Sequence, residues 1–184
     1  MKNPVGYLYC TDRGPVGDAG MFYDYVVAAN GVFICAENPL IKATVRIAEA
    51  SMRGLRPLFT MVCLKHGKIP GALYHLAMSI FMADRHHEQY LAVAWDGAYH
   101  LMIPQQTGDA ASVHYEKVPN TILELHSHGE LSAFFSGTDN QDEQGLCLYA
   151  VMGNLDRLIP DVEMRIGVYG YFDKLRPGEV FSDV

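Results

Sequence analysis

Between Pro70 and about Asp84, apolar residues return at helical spacing. Leu73, Leu76, Ala77, Ile80 and Phe81 fall at i, i+3, i+4, i+7 and i+8, and Met78 and Met82 widen the stripe. Pro70 suits a first helical turn. The pattern predicts one helix with its stripe in the core. Elsewhere the apolar residues come in short runs between turn residues, the pattern of strands. In the first 68 residues these are Tyr7–Cys10, Met21–Ala28, Gly31–Ala36 and Ala43–Ile47, with Leu58–Leu64 as a further buried strand. Gly14-Pro15, Asn30-Gly31 and Asn38-Pro39 mark turns, and Asn30-Gly31 suits a type I′ hairpin. After the helix, Gln89–Trp95 reads as a buried strand, Asp96-Gly97 as a hairpin turn and Ala98–Ile103 as the return strand. Pro104–Ala110 is polar and turn-prone, and Ser112–Lys117 alternates like a half-exposed strand. Thr121–Leu125, Leu146–Met152 and Glu163–Phe172 complete the strands, with a polar tail from Asp173. The expected class is α/β, a mixed sheet flanked by helices, preceded by a β-rich segment over residues 1–68 whose role the pattern does not disclose.

The chemistry concentrates where the Thr121–Leu125 strand ends. His126 and His128, then Ser136, then Asp139 form the pattern H-x-H, seven residues, S, two residues, D. Side chains two apart on a strand share a face, so both imidazoles can grip one ion. Asp139 is the candidate third ligand. Two imidazoles and a carboxylate around an open fourth position make a catalytic rather than a structural zinc arrangement. A histidine pair alone is more often two ordinary histidines. The full pattern arises by chance roughly once in a thousand sequences of this length and composition. Ser136-Gly137-Thr138-Asp139 also looks like a helix start, and Leu131, Phe134 and Phe135 read as lining residues.

Composition narrows the classes. The chain has 184 residues, 49% of them apolar, and a net charge of −7 with no block of like charge. This disfavours nucleic acid or an anionic membrane as a main partner. No apolar run reaches spanning length, and Met1–Tyr9 lack a signal-peptide core, so the expectation is a soluble, cytoplasmic protein. Cys10, Cys35, Cys63 and Cys147 form no C-x-x-C motif and read as buried free thiols. A nucleobase deaminase would need H-x-E with P-C-x-x-C, which is absent.

The four-residue pattern resembles the signature of the JAMM (MPN-plus) metalloprotease superfamily. The resemblance covers about residues 70–172 and leaves residues 1–68 outside. It implies a cytidine-deaminase-like architecture over residues 69–184. It also implies Zn2+ on His126, His128 and Asp139, with Ser136 stabilising a tetrahedral intermediate. In that superfamily a long helix precedes the strand that opens on the general base, and Glu88 stands there, 38 residues before His126. Glu124 is the runner-up, since it shares the face of both histidines. His86 and His87 adjoin Glu88; side chains of neighbours on an extended chain point apart, so at most one can face the metal. Gly129 departs from the proline that many members carry after the second histidine. The chain is similar to the bacterial and plasmid-borne branch, including the A proteins of the PRTRC cassette. The implied function is hydrolysis of peptide or isopeptide bonds, with a ubiquitin-like protein as substrate and an E1-like (ThiF-type) system partner. The alternative is a non-catalytic MPN-type interaction module. Such modules typically lack the ligands, and this chain keeps all three.

Overall fold

A computed structural model of the chain describes residues 3–108 and 113–184. Two six-stranded sheets share one core. The first takes β1 (Val5–Thr11), β2 (Gly14–Asp18), β3 (Tyr23–Ala28), β4 (Gly31–Glu37), β5 (Ile41–Ala48) and β6 (Met61–Leu64), in the order β2-β1-β3-β4-β5-β6. Helix α1 (Gly71–Ala83) leads to β7 (Tyr90–Trp95) and β8 (Tyr99–Met102). A small hairpin, β9 (Gln106–Gly108) and β10 (Val113–Tyr115), precedes β11 (Thr121–Ser127) and the short helix α2 (Gly137–Asp142). Then come β12 (Leu146–Gly153), β13 (Asp161–Val168), β14 (Tyr171–Leu175) and α3 (Pro177–Val180). The second sheet runs β14-β13-β12-β11-β7-β8, with β11 and β12 parallel and the other pairs antiparallel. β12 lies in the middle and every residue of it is buried, as a near-continuous apolar strand covered on both faces must be.

The class is α/β with mixed sheets, but the expected flanking helices are few. Among the described residues only α1 has any length; α2 has six residues and α3 four. Strands do much of the covering instead. Ile34, Ile41, Ala43 and Val45 of the first sheet join Leu148, Met164 and Ile166 of the second in one buried cluster, with Ala77 and Phe81 of α1. The apolar stripe of α1 is accordingly narrower than predicted, with Leu76 and Met82 exposed.

Other departures have local causes. Gly14-Pro15 opens β2 rather than a turn; that strand is at the sheet edge, where a missing N–H is tolerated. The β3–β4 loop is Ala29-Asn30, neither residue has a positive φ, and Gly31 pairs with Ala28. The Asn30 amide instead clamps the Leu58 backbone, donating from Nδ2 to its oxygen at 2.8 Å and accepting its N–H at 2.9 Å. The strand expected from Leu58 to Leu64 is shorter, and as an edge strand it is partly exposed. Pro104–Ala110 contributes β9, while Asp109, Ala110 and Ser112 lie outside the described residues.

Glu163–Phe172 is two strands joined by Tyr169-Gly170, both at positive φ, a hairpin turn disguised by a tyrosine. Tyr169 is held there by stacking on Tyr23, 4.7 Å between centroids. The tail is not a polar appendage. The Ile69 N–H donates to the Val180 oxygen at 3.0 Å, the Ile69 oxygen accepts the Ser182 N–H at 2.9 Å, and Phe181 is buried. Of the cysteines, Cys147 is buried, Cys10 and Cys35 are half-buried, and Cys63 is exposed; all are free. Among the described residues no helix is long and apolar enough to cross a membrane.

Candidate metal centre

Strand β11 sets the site. A bulge between Thr121 and Leu123 shifts its register against β7, which lets Ile122 and Leu123 both be buried. Beyond the bulge, Leu123, Leu125 and Ser127 are wholly buried, while Glu124 and His126 alternate onto the other face. The His128 N–H reaches the Met152 oxygen at 2.8 Å, which carries the chain one residue further along β12.

His126 Nε2 and His128 Nε2 stand 3.2 Å apart, and Asp139 Oδ1 lies 3.6 Å from His126 Nε2. The three donor atoms fall within 4.8 Å of one another. A tetrahedral zinc with bonds of about 2.0–2.1 Å sets its ligand atoms about 3.3–3.4 Å apart, so the set fits that ion. Electrostatics agree. Burial pulls His126 down to about 4, as do His128 and Arg165, against the opposing pull of Asp139. Burial also lowers His128, with the Ser132 backbone and Asp139 opposing. Both rings are therefore neutral at pH 7 and offer lone pairs. His128 Nδ1 is buried with no hydrogen-bond partner of normal geometry, which leaves Nε2 as the nitrogen turned toward the other donors.

Asp139 is aimed by a capping box. Ser136 is the N-cap of α2, and its Oγ accepts the Asp139 N–H at 3.2 Å. In return Asp139 Oδ2 accepts the Ser136 N–H at 2.5 Å, leaving Oδ1 for the histidines. Burial alone would raise the Asp139 carboxyl, but His126, the Ser136 bonds and His128 hold it below its usual value. The Ser136 hydroxyl spends only a lone pair on the cap and keeps its own proton to donate.

Glu88 lines a cleft of about 170 Å³ together with Arg85, His86, His87, His128 and the loop Gly129–Leu131. Its neighbour fixes it there: the Gln89 N–H donates to Ser127 Oγ at 3.1 Å, and the Ser127 N–H to the Gln89 oxygen at 3.0 Å. Ser127 stands between the two histidines, so one pair of bonds brings the Glu88 segment alongside the ligand strand. Gly129 has φ +58, which proline cannot adopt, and a Cβ there would run into the Arg85 carbonyl. That accounts for the residue after the second histidine. His86 and His87 are exposed on the cleft wall, beside Glu130 and Asp84 respectively, and are not part of the three-donor group. Glu124 shares the His126 face, where its charge acts on Glu143, Cys147 and Tyr149. Phe134 packs edge-on against His128 and Phe135 against His126; Leu131 is exposed.

Sequence reasoning missed a group beside the ligands. Arg165 in β13 is 7% exposed, as is Glu143 at the end of α2. Arg165 donates to Glu143 Oε2 from Nε at 2.8 Å and Nη2 at 2.5 Å, and from Nη1 to Asn140 Oδ1 at 2.7 Å. Burial raises the Glu143 carboxyl to about 8 even though the two Arg165 bonds pull it down. The one signal was a charged residue between Met164 and Ile166 in an apolar strand.

A strand-borne histidine pair, a helix-capping aspartate and a glutamate brought alongside by strand pairing are the makings of a JAB/MPN-type domain. The family model described as prokaryotic homologs of the JAB domain matches residues 75–166, half of the chain, and the chain belongs to that family. The match runs from within α1 to within β13 and leaves the first sheet outside. Members of this family often bind zinc, and the His126–His128–Asp139 group lies within range of one ion. No curated protein matches the chain.

Proposed function

We propose that the chain is a zinc-dependent hydrolase of peptide or isopeptide bonds. The observation that supports this reading is the convergence of His126, His128 and Asp139 beside a cleft that Glu88 also lines. When bound, zinc would lower the pKa of a coordinated water to about 7 and polarise a carbonyl. His126, His128 and Asp139 would hold the ion. Glu88 takes the proton of the attacking water and passes it to the leaving amine. Ser136 donates its hydroxyl proton to the developing oxyanion, an interaction that can be worth ~2.7–4 kcal/mol. In this reading residues 69–184 form the metalloprotease-like domain and residues 1–68 a segment of separate role. The likeness to the PRTRC-type branch makes a ubiquitin-like protein the proposed substrate and an E1-like protein the proposed partner, in the cytoplasm.

The test pairs metal analysis with one substitution. Purified protein should hold about one zinc per chain. Glu88→Gln should keep the metal and lose about 10²–10⁴-fold in turnover of an amide bond at the C-terminus of a ubiquitin-like protein. Absence of zinc uptake would sink the metal reading, and full turnover by Glu88→Gln would move the base to Glu124. A zinc-loaded protein that cleaves no such bond would favour the interaction-module alternative.

A further inference from the structure

We propose that Arg165 is a positioning residue for the metal-ligating carboxylate, acting through α2. The inference rests on the metal site proposed above. Asp139 sits on a helix of six residues with no buried residue of its own. A helix that short is not self-supporting, so its place on the fold must be imposed from outside. The capping box fixes Asp139 within the helix but does not fix the helix to the sheet. Arg165 does this at both ends of the segment. Its guanidinium lies between the Phe135 ring, 3.7 Å from the centroid, and the Phe172 ring at 3.8 Å. Phe135 precedes the N-cap Ser136. Its three N–H bonds then take Asn140 and Glu143, on the far side of Asp139.

The choice of residues suits that task. A buried arginine–glutamate pair is weak ground for stability, because apolar residues of similar volume often serve as well. Apolar packing, however, would let a one-and-a-half-turn helix rotate. Directed bonds from a rigid planar fork fix both its height and its rotation. The Asp139 Oδ1 to His126 Nε2 spacing depends on that rotation. Arg165 is not in the three-donor group and lies on the next strand but one from β11.

The experiment measures zinc affinity of the full chain by competition with a chromophoric chelator, and amide hydrogen exchange across residues 137–143 of the metal-free protein. Arg165→Met should weaken zinc binding about 10–100-fold, the usual effect of losing a residue that orients a ligand. It should also speed exchange in α2. Leu148→Ala, wholly buried on the opposite face of β12, is the control for general destabilisation. It should lower Tm and leave zinc affinity within about threefold, since by register it shares the Leu123 face rather than the face of His126 and Arg165. Glu143→Met with Arg165→Met leaves no unpaired buried charge. It should match Arg165→Met in zinc affinity if the two act as one unit, and it carries the same measurement if Arg165→Met does not fold. Zinc affinity within threefold of wild type in the Arg165 variants, or an equal loss in Leu148→Ala, overturns this inference alone. A wild-type chain that takes up no zinc overturns the metal reading and this inference with it.

Discussion

The two sheets have equal strand number and differ in where they keep their charged residues. In the first, charges lie at the surface. Lys42 and Lys65 share Glu37, and Arg46 pairs with Glu49, all at least partly in water. Such pairs contribute about 0–1 kcal/mol each and dictate little. The second sheet has an exposed pair too, Lys174 with Glu163, but it also buries Ser127 wholly and Arg165 nearly so, the latter against Glu143 at the end of α2. A buried polar group without a partner is costly, so each of these has a directed bond, and together they fix a geometry. The sheet that buries a charged pair is the one that holds the candidate metal centre. The first sheet contributes bulk to the common core.

The largest expected effect tests whether the chemistry lies in one sheet. His126→Ala should lower zinc affinity by more than about a hundredfold, since it removes a direct ligand. Cys35→Ala, in β4 of the first sheet, should leave it unchanged. An equal loss in both would break the contrast. Glu88→Gln, described above, separates turnover from metal binding within the second sheet.

A second measurement asks whether the sheets are energetically one body. Ile41 of β5 is wholly buried in the common cluster. Ile41→Ala should cost about 2–5 kcal/mol. The single tryptophan, Trp95, lies in β7 of the other sheet. Trp95 fluorescence and far-ultraviolet circular dichroism should therefore move together to lower urea, in one transition. A Trp95 transition that ignores Ile41→Ala would show that the sheets unfold apart.

The smallest effect concerns pH. Protons compete with metal for the imidazoles, and burial holds the folded His126 near 4 rather than the ordinary 6.5. His128 shifts in the same direction. Zinc affinity should change little from pH 7.5 to 6 and fall as pH drops toward 4. Loss beginning at about 6.5 would mean that the rings are wetter than the buried second sheet implies.

Local spacing made part of this molecule legible. The helical stripe from Leu73 to Phe81 and the alternation around His126 are short-range patterns, and both elements form where the pattern puts them. The Tyr169-Gly170 turn was illegible because tyrosine gives no turn signal; stacking on Tyr23, 146 residues earlier, holds its positive φ. The tail misled for a similar reason, since Phe181 finds its pocket beside Ile69 and Tyr74, far back in the chain.

By itself the sequence determined that two imidazoles leave one strand on one face, with a capping serine and aspartate a fixed distance behind. Those facts follow from a period of two and a helix start, which the backbone imposes locally. Only the tertiary structure decided that Oδ1 of Asp139 turns to His126, that Glu88 shares the cleft of His128, and that Arg165 holds α2. Each depends on strand pairing between segments tens of residues apart. Such pairing is chosen by burial of the whole core, so no local window of sequence contains it.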